Sequence, residues 1–150
     1  MIKILFVCHG NICRSPMAEF VMKKLVREAG CGDRFRIDSC AVSDEEHGSG
    51  IYGPAQRKLR EKGVPFDAHR ARCITKADYR AADLVVAMDR SNLRRLDRLT
   101  GGDPDGKVRL LLAYTGEHRD VADPWYTGDF EAAYQDILRG CTALLAACAE

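Results

Sequence analysis

The amino-acid sequence predicts an α/β fold in which a parallel β-sheet carries helices on both faces. Short apolar runs alternate along the chain with stretches of helical periodicity, as expected when parallel strands are joined by helical crossovers. Several of the helical stretches also begin at a capping residue and end at glycine, which separates them cleanly from the strands. A sheet of this kind binds ligands beyond the carboxyl ends of its strands.

The first half of the chain supplies two strands and two helices, followed by a polar, glycine-rich loop at residues 43–53 between the second strand and the second helix. In order, the elements are a strand at residues 3–7, a helix that ends at Gly30, a strand marked by Phe35, Ile37 and Val42, and a helix over residues 55–62 between Pro54 and Gly63.

The second half continues the alternation and completes a sheet of four strands. Thr75 caps a short helix, and residues 83–88 form the third strand. Asp89 caps the next helix, which ends at Gly101 and Gly102. Residues 108–112 form the fourth strand, and a long helix follows Asp129. The long helix has an apolar stripe that we expect in the core: Phe130, Ala133, Tyr134, Ile137, Cys141, Leu144, Leu145 and Cys148. We predict a single domain, residues 1–150, with a flavodoxin-like arrangement.

Composition excludes several classes of function. With 150 residues, 46% of them hydrophobic, the chain suffices for one core, and a net charge of +1 gives no general attraction to nucleic acid or anionic membranes. No apolar run approaches the roughly 20 residues of a spanning helix, and residues 1–7 lack the pattern of an export signal. The seven irregularly spaced cysteines indicate reduced thiols rather than zinc ligands. We expect a cytoplasmic monomer that binds neither nucleic acid nor membrane.

The loop after the first strand has the composition of an anion-binding site. A strand end that leads into a helix N-terminus presents unpaired N–H donors and the positive end of the helix dipole. Gly10 and Asn11 are best able to adopt the left-handed conformations that turn such donors inward, and Ser15 and Pro16 fit the N-cap and the first helical position. The predicted phosphate-binding loop consists of Cys8, His9, Gly10, Asn11, Ile12, Cys13, Arg14 and Ser15.

The spacing of Cys8 and Arg14 is weak evidence alone, because a chain with seven cysteines and many arginines has roughly even odds of containing such a pair by chance. The alternative is a turn with a buried cysteine. The strand before the loop, the helix after it, and the glycine and asparagine inside it make the anion-binding interpretation more specific.

The string from Val7 to Pro16, Val-Cys-His-Gly-Asn-Ile-Cys-Arg-Ser-Pro, resembles the signature of the low-molecular-weight protein tyrosine phosphatases. Further matches along the chain are Ala71-Arg72 with Ile74, Met88-Asp89 with Asn92-Leu93, and Asp123-Pro124-Trp125-Tyr126. The resemblance implies hydrolysis of phosphomonoesters through a phosphocysteine, without a metal or cofactor, on phosphotyrosine proteins or small aryl phosphates.

Three residues carry the predicted chemistry. Cys8 is the nucleophile, and the N–H groups that hold the phosphate also favour its thiolate. Arg14 can grip two phosphoryl oxygens at once and carry the charge of the transition state. The resemblance makes Asp123 the acid that protonates the leaving group and then the base that activates water. Ser15 either donates its hydroxyl to the Cys8 sulfur or only caps the helix, and both roles are compatible.

The substrate cleft is predicted from the loop residues and the aromatic pair. Trp125 and Tyr126 offer faces for a substrate ring, although either could instead belong to the core. Many relatives have a tryptophan in the loop at residues 43–53, where this chain has an acidic stretch that brings Glu46 and His47 to the cleft. Ile12 favours phosphotyrosine, since relatives that act on phosphoarginine tend to have threonine there. The resemblance also implies that His69 is hydrogen-bonded to Asn11.

Three other functions remain as alternatives. A phosphoarginine phosphatase is one. A thiol-dependent arsenate reductase would need two further cysteines near the site, and only Cys73 lies in the plausible region. A binding module without activity would have lost Cys8 or Asp123, which this chain retains. Cys13 is either a packing residue or a redox partner that forms a disulfide with an oxidised Cys8.

Overall fold

The computed structural model describes residues 1–149 and contains one sheet of four parallel strands in the order β2-β1-β3-β4. This confirms the predicted α/β, flavodoxin-like fold. The strands are β1 (Ile2–Cys8), β2 (Phe35–Ala41), β3 (Leu84–Ala87) and β4 (Val108–Leu110). The helices are α1 (Arg14–Glu28), α2 (Gly53–Glu61), α3 (Lys76–Ala81), α4 (Arg90–Thr100), α5 (Pro124–Thr127) and α6 (Phe130–Cys148).

Both faces of the central strand β1 are buried, which explains its continuous apolar sequence. Ile4 and Phe6 point into a large core that includes residues of α1, α2 and α6, whereas Leu5 and Val7 point into a smaller core with α3 and α4. The chain passes from β1 to β2 on one side and later to β3 on the other. The carboxyl end of β1 therefore lies at the topological switch point, where such folds bind ligands.

Two of the predicted helix caps are confirmed and one is wrong. Thr75 and Asp89 each form a reciprocal capping box, with Asp78 and Asn92 respectively. Ser15 does not cap α1, because the helix already begins at Arg14 and its N-cap, Cys13, makes no capping side-chain bond. The hydroxyl of Ser15 is engaged instead by neighbours within the loop.

The fourth strand is shorter than predicted. It ends at Leu110, and Leu111–Thr115 form a 3-10 helix whose first two residues are fully buried. Leu111 packs against Gly140 of α6 so closely that a Cβ at Gly140 would overlap the Leu111 side chain. A short apolar run does not reveal this change from strand to helix, because both forms bury it.

The long C-terminal helix has the predicted buried stripe, in which Ala133, Tyr134, Ile137, Cys141 and Leu144 are buried and the other three stripe residues are partly buried. The single turn α5 and a 3-10 helix at Gly32–Arg34 are additional to the prediction. Among residues 1–149, none of the helices has the length and apolar character needed to traverse a lipid bilayer.

Candidate active site

The loop between β1 and α1 curls around the sulfur of Cys8. Asn11 adopts the left-handed conformation, with φ of 60°. Gly10 does not, so the conformational prediction is wrong for that residue. The acidic loop lies close to Gly10, where a Cβ would be in van der Waals contact with Glu46 Cγ at 3.4 Å.

Three donors converge on the Cys8 sulfur. The backbone N–H groups of Asn11 and Ser15 donate to it at 3.3 and 3.4 Å, and the Ser15 hydroxyl lies 3.0 Å away. Cys8 itself is buried. Backbone amides and a hydroxyl aimed at a buried sulfur stabilise negative charge on it, as a thiolate nucleophile requires.

The side chain of Asn11 fixes the shape of the loop. Its Nδ2 donates to the hydroxyls of Ser15 at 2.8 Å and Ser39 at 3.0 Å, while its Oδ1 accepts the Arg72 N–H at 3.4 Å. His69 Nε2 lies 2.8 Å from the Asn11 backbone carbonyl, the contact that the resemblance implies. Asn11 is fully buried, so these bonds are not exchanged with water.

This network also bears on the bond between Ser15 and Cys8. Ser39 Oγ donates its proton to Glu19 Oε1 at 2.6 Å, and both amide protons of Asn11 are donated to serine hydroxyls. The Ser15 oxygen therefore accepts from Asn11, which leaves its own proton to be donated to the sulfur of a Cys8 thiolate, 3.0 Å away. Glu19 is buried and paired with Lys23 at 2.6 Å. The sequence gives no local signal for Ser39 or Glu19.

Arg14 lies almost completely buried beside the loop. Its Nη2 donates to Asp89 Oδ2 at 2.8 Å and to Asp123 Oδ2 at 3.3 Å, and its Nη1 donates to the Val121 carbonyl at 3.1 Å. Burial alone would lower the pKa of Arg14, but the negative charges of Cys8, Asp123 and Asp89 outweigh burial and raise it. Arg14 remains a cation with a fixed orientation.

Asp89 joins this site to helix α4. One of its carboxylate oxygens accepts the Asn92 N–H at 2.8 Å and so caps the helix, and the other accepts from Arg14. The sequence indicates the cap but not the contact with Arg14. The signal lies in the topology, because Asp89 follows β3, the neighbour of β1, at the same edge of the sheet.

Asp123 lines the same pocket as Cys8 and lies at the start of the single turn α5. Its Oδ1 accepts the Trp125 N–H at 3.1 Å, and its side chain is 30% exposed. The pocket has a volume of about 190 Å³. It is lined by Cys8, His9, Gly10, Ile12, Cys13, Arg14, Glu45, Glu46, Asp123, Trp125 and Tyr126.

The structure thus gathers most of the predicted cleft residues and leaves one out. His47 does not line the pocket, because its N–H donates to the Asp44 carbonyl in a turn that leaves the residue exposed. Glu45 takes that place and pairs with His9 Nε2 at 2.9 Å. Trp125 and Tyr126 are 55% and 86% exposed, so they form the rim of the pocket rather than part of the core.

Cys13 is buried in the wall of the pocket. Burial, followed by the negative charges of Cys8 and Asp123, raises the pKa of its thiol to about 12. Cys13 is therefore protonated near neutral pH. Within residues 1–149, no group of three or more histidine, cysteine or acidic side chains is arranged to bind a metal ion.

Comparison with known proteins places these features in a family. The family model described as low molecular weight phosphotyrosine protein phosphatase matches residues 3–150. The pig enzyme of that name is 44% identical over 95% of this chain and 92% of its own length. Bacillus subtilis YfkJ, named a low molecular weight protein-tyrosine-phosphatase, is 38% identical over 97% of this chain and 95% of its own.

Solved structures agree. The crystal structure of YfkJ superposes with a TM-score of 0.94, covering 98% of this chain and 94% of the other. The Drosophila arginine phosphatase superposes with a TM-score of 0.91 at 32% identity, covering 99% of both chains. On the family match and these identities, the chain belongs to the low molecular weight phosphotyrosine protein phosphatase family.

Proposed function

We propose that this protein hydrolyses phosphotyrosine in proteins, and small aryl phosphates, through a phosphocysteine on Cys8. The observation that carries the proposal is the convergence of three donors on the Cys8 sulfur, in a pocket that also contains Arg14 and Asp123. The names of the relatives support the substrate class.

In the first step the Cys8 thiolate attacks phosphorus, and the bond from phosphorus to the tyrosine oxygen breaks. The N–H groups of the loop and the guanidinium of Arg14 hold the phosphoryl oxygens and stabilise the charge that spreads over them. Asp123 gives its proton to the departing oxygen, so that a phenol rather than a phenoxide leaves. The carboxyl lies at the pocket rim, on the side where the leaving group must exit.

In the second step water attacks the phosphocysteine, and the ionised Asp123 accepts the proton of that water. The bond between phosphorus and sulfur breaks, inorganic phosphate is released, and Cys8 departs as a thiolate. The Ser15 hydroxyl, whose proton is directed to the sulfur, stabilises that leaving thiolate.

The rim of the pocket favours an aromatic substrate. Trp125 and Tyr126 present exposed faces, and the branched apolar side chain of Ile12 lines the same opening. Phosphoarginine is the second candidate, since one structural neighbour is named an arginine phosphatase and Glu45 and Glu46 at the rim could accept a guanidinium. Ile12 argues against it.

Neither remaining alternative has comparable support. Arsenate reduction requires two further reactive thiols near the site, but neither Cys40 nor Cys73 lines the pocket, and burial raises the pKa of both. A binding module would not need Asp123 opposite the nucleophile.

We also propose that the protein acts as a monomer in the cytoplasm. Within residues 1–149 the exposed large apolar side chains are Met1, Tyr52, Trp125 and Tyr126, and the last two belong to the pocket rim. All seven cysteines are free thiols, as expected for a reducing compartment.

The test measures kcat/KM for matched phosphotyrosine, phosphoserine and phosphoarginine peptides with the purified protein. We expect phosphotyrosine to be the best substrate and rapid quenching to trap phosphate on a Cys8 peptide. Cys8→Ser should still bind vanadate while turnover falls by several orders of magnitude. Substantial turnover by Cys8→Ser, or a preference for another phosphopeptide, would overturn the proposal.

A further inference from the structure

Tyr52 is an aromatic residue just outside the pocket. It precedes helix α2 and does not line the cavity, yet its ring lies 5.2 Å from that of Trp125, at an angle of 57°. On its other side the ring stacks on Phe130, the first residue of α6, with centroids 6.2 Å apart. Tyr52 therefore connects the turn that contains Asp123 to the body of the protein.

The segment that contains Asp123 is anchored unevenly. The residues before Asp123 are hydrogen-bonded to the rest of the protein: the Val121 N–H donates to the Met88 carbonyl, and the Ala122 N–H donates to the Asp136 carboxylate. After Asp123, the backbone N–H groups of residues 125–128 donate only within the turn itself, to Asp123 or Pro124. Here the turn is held by packing, through the buried ring of Pro124 and through the Trp125 ring, which lies against Tyr52.

The position of Tyr52 is itself fixed by the phosphate-binding loop. Its backbone N–H donates to the Ile12 carbonyl at 2.9 Å, and its own carbonyl accepts from the Gln56 N–H at 3.0 Å. Neither bond involves the side chain. A change of side chain at residue 52 therefore removes the ring and leaves the link to the loop in place.

We propose that Tyr52 is a positioning residue for proton transfer: by packing against Trp125, it fixes the distance between the Asp123 carboxyl and the phosphoryl group held by the loop. The proposal rests on the proposed function, in which Asp123 protonates the leaving group. Tyr52 touches neither substrate nor the reacting atoms, so it acts through Trp125 and the turn.

The first experiment observes the contact without reference to activity. Trp125 is the single tryptophan of the chain, so its fluorescence reports its surroundings directly. In Tyr52→Ala the emission of Trp125 should be quenched more strongly by acrylamide, whereas Tyr52→Phe should match the wild type. Equal quenching in all three proteins would show that the ring does not hold Trp125 and would overturn the proposal.

The second experiment measures kcat/KM over a series of phosphate esters with good and poor leaving groups. Loss of an aromatic pair of ordinary strength should shift the equilibrium between the ordered and the displaced turn by about 2- to 13-fold. Tyr52→Ala should lose that factor on alkyl and benzyl phosphates and keep wild-type values on phenols that need no proton. Tyr52→Phe should behave as the wild type on both.

Two controls separate positioning from general damage. Tyr114→Ala removes another partly buried tyrosine, one that lies close to Cys148 at the far end of α6, about 27 Å along the helix from Phe130. It should not alter the leaving-group dependence. Asp123→Asn should show the selective loss itself, and adding Tyr52→Ala to it should cost nothing more, since the group being positioned is then absent.

The outcomes distinguish the two levels of the argument. If Asp123→Asn is selective but Tyr52→Ala is not, Tyr52 only packs and the proposed function stands. If Asp123→Asn shows no dependence on the leaving group, the acid assignment fails and the role of Tyr52 fails with it. A further loss from Tyr52→Ala in the Asp123→Asn background would also overturn the role of Tyr52, because the ring would then act on something else.

Discussion

Replacing Asp89 tests how the cation of the site is held. Its carboxylate contacts Arg14 at 2.8 Å, with only 4% of the Arg14 side chain and 16% of the Asp89 side chain exposed. Asp89→Asn preserves an oxygen that can cap α4, since asparagine is as good an N-cap as aspartate, but removes the charge. Asp89→Ala removes the charge, the acceptor and the cap. The pair of variants therefore separates electrostatics from helix capping.

The magnitudes follow from these bonds. A hydrogen bond to a charged group contributes about 1.5–3 kcal/mol. When the single amide oxygen of asparagine caps α4, its NH2 group faces the Arg14 guanidinium and accepts no bond from it. Asp89→Asn should thus cost about 1.5–3 kcal/mol in transition-state stabilisation, a loss in kcat/KM of roughly 13- to 160-fold. Asp89→Ala should lose a similar amount of activity, and its free energy of unfolding should fall by a further ~1 kcal/mol for the missing cap.

The assay combines kcat/KM on an aryl phosphate with unfolding in urea, which reports the stability of each variant separately. Arg14 retains its bonds to Asp123 and Val121 in both, so the protein should still fold. Wild-type kcat/KM in Asp89→Asn would refute the argument that the charge orients Arg14. Equal free energies of unfolding in the two variants would refute the role of residue 89 as the cap of α4, because only Asp89→Ala removes the capping oxygen.

Three further changes address the acid, the rim and the second loop cysteine. Asp123→Asn should reduce kcat/KM by about 10²- to 10⁴-fold for substrates with poor leaving groups and much less for nitrophenyl phosphates. A uniform loss over a series of leaving groups would contradict the role of Asp123 as a proton donor. Ile12→Thr should raise kcat/KM for phosphoarginine relative to phosphotyrosine peptides, and an unchanged ratio would remove Ile12 as a selector. Because the pKa of Cys13 is about 12, iodoacetamide at pH 7 should label Cys8 and spare Cys13, which peptide mass spectrometry would show. Peroxide should oxidise Cys8 to a sulfenic acid, which condenses with the Cys13 thiol to form a disulfide and release water. Dithiothreitol should then restore the activity of the wild type but not that of Cys13→Ser. Equal recovery of activity in both proteins would leave Cys13 as a packing residue.

The contiguous part of the site could be predicted because its geometry is local. A strand end, a left-handed Asn11 and a helix start follow one another in the sequence, so the loop from Cys8 to Arg14 is specified by neighbours along the chain. Asp123 lies more than 100 residues away, and the resemblance rather than any periodicity identified it.

The supporting residues could not be predicted, because they depend on strand register. In the pairing of β1 with β2, Ser39 lies opposite Phe6, and Phe6 is two residues before Cys8. This register brings the Ser39 hydroxyl to the side chain of Asn11. Asp89 reaches Arg14 since Val7 lies opposite Ala87, which brings the residues after β3 beside the loop. Apolar runs indicate which segments are strands, but not which residues face each other.

Differences between the two carboxylates support the proposed role of Asp123 in both steps and a structural role for Asp89. A phosphoryl group bound in the loop brings negative charge to Arg14, and we expect it to displace Asp123, whose contact with Arg14 is longer, at 3.3 Å, and more exposed. Released from Arg14, that carboxyl can turn towards the leaving oxygen. Asp89 is held more firmly, because its other oxygen caps an eleven-residue helix. Asp123 caps only the four-residue turn α5, so fewer bonds oppose its movement between Arg14 and the leaving group.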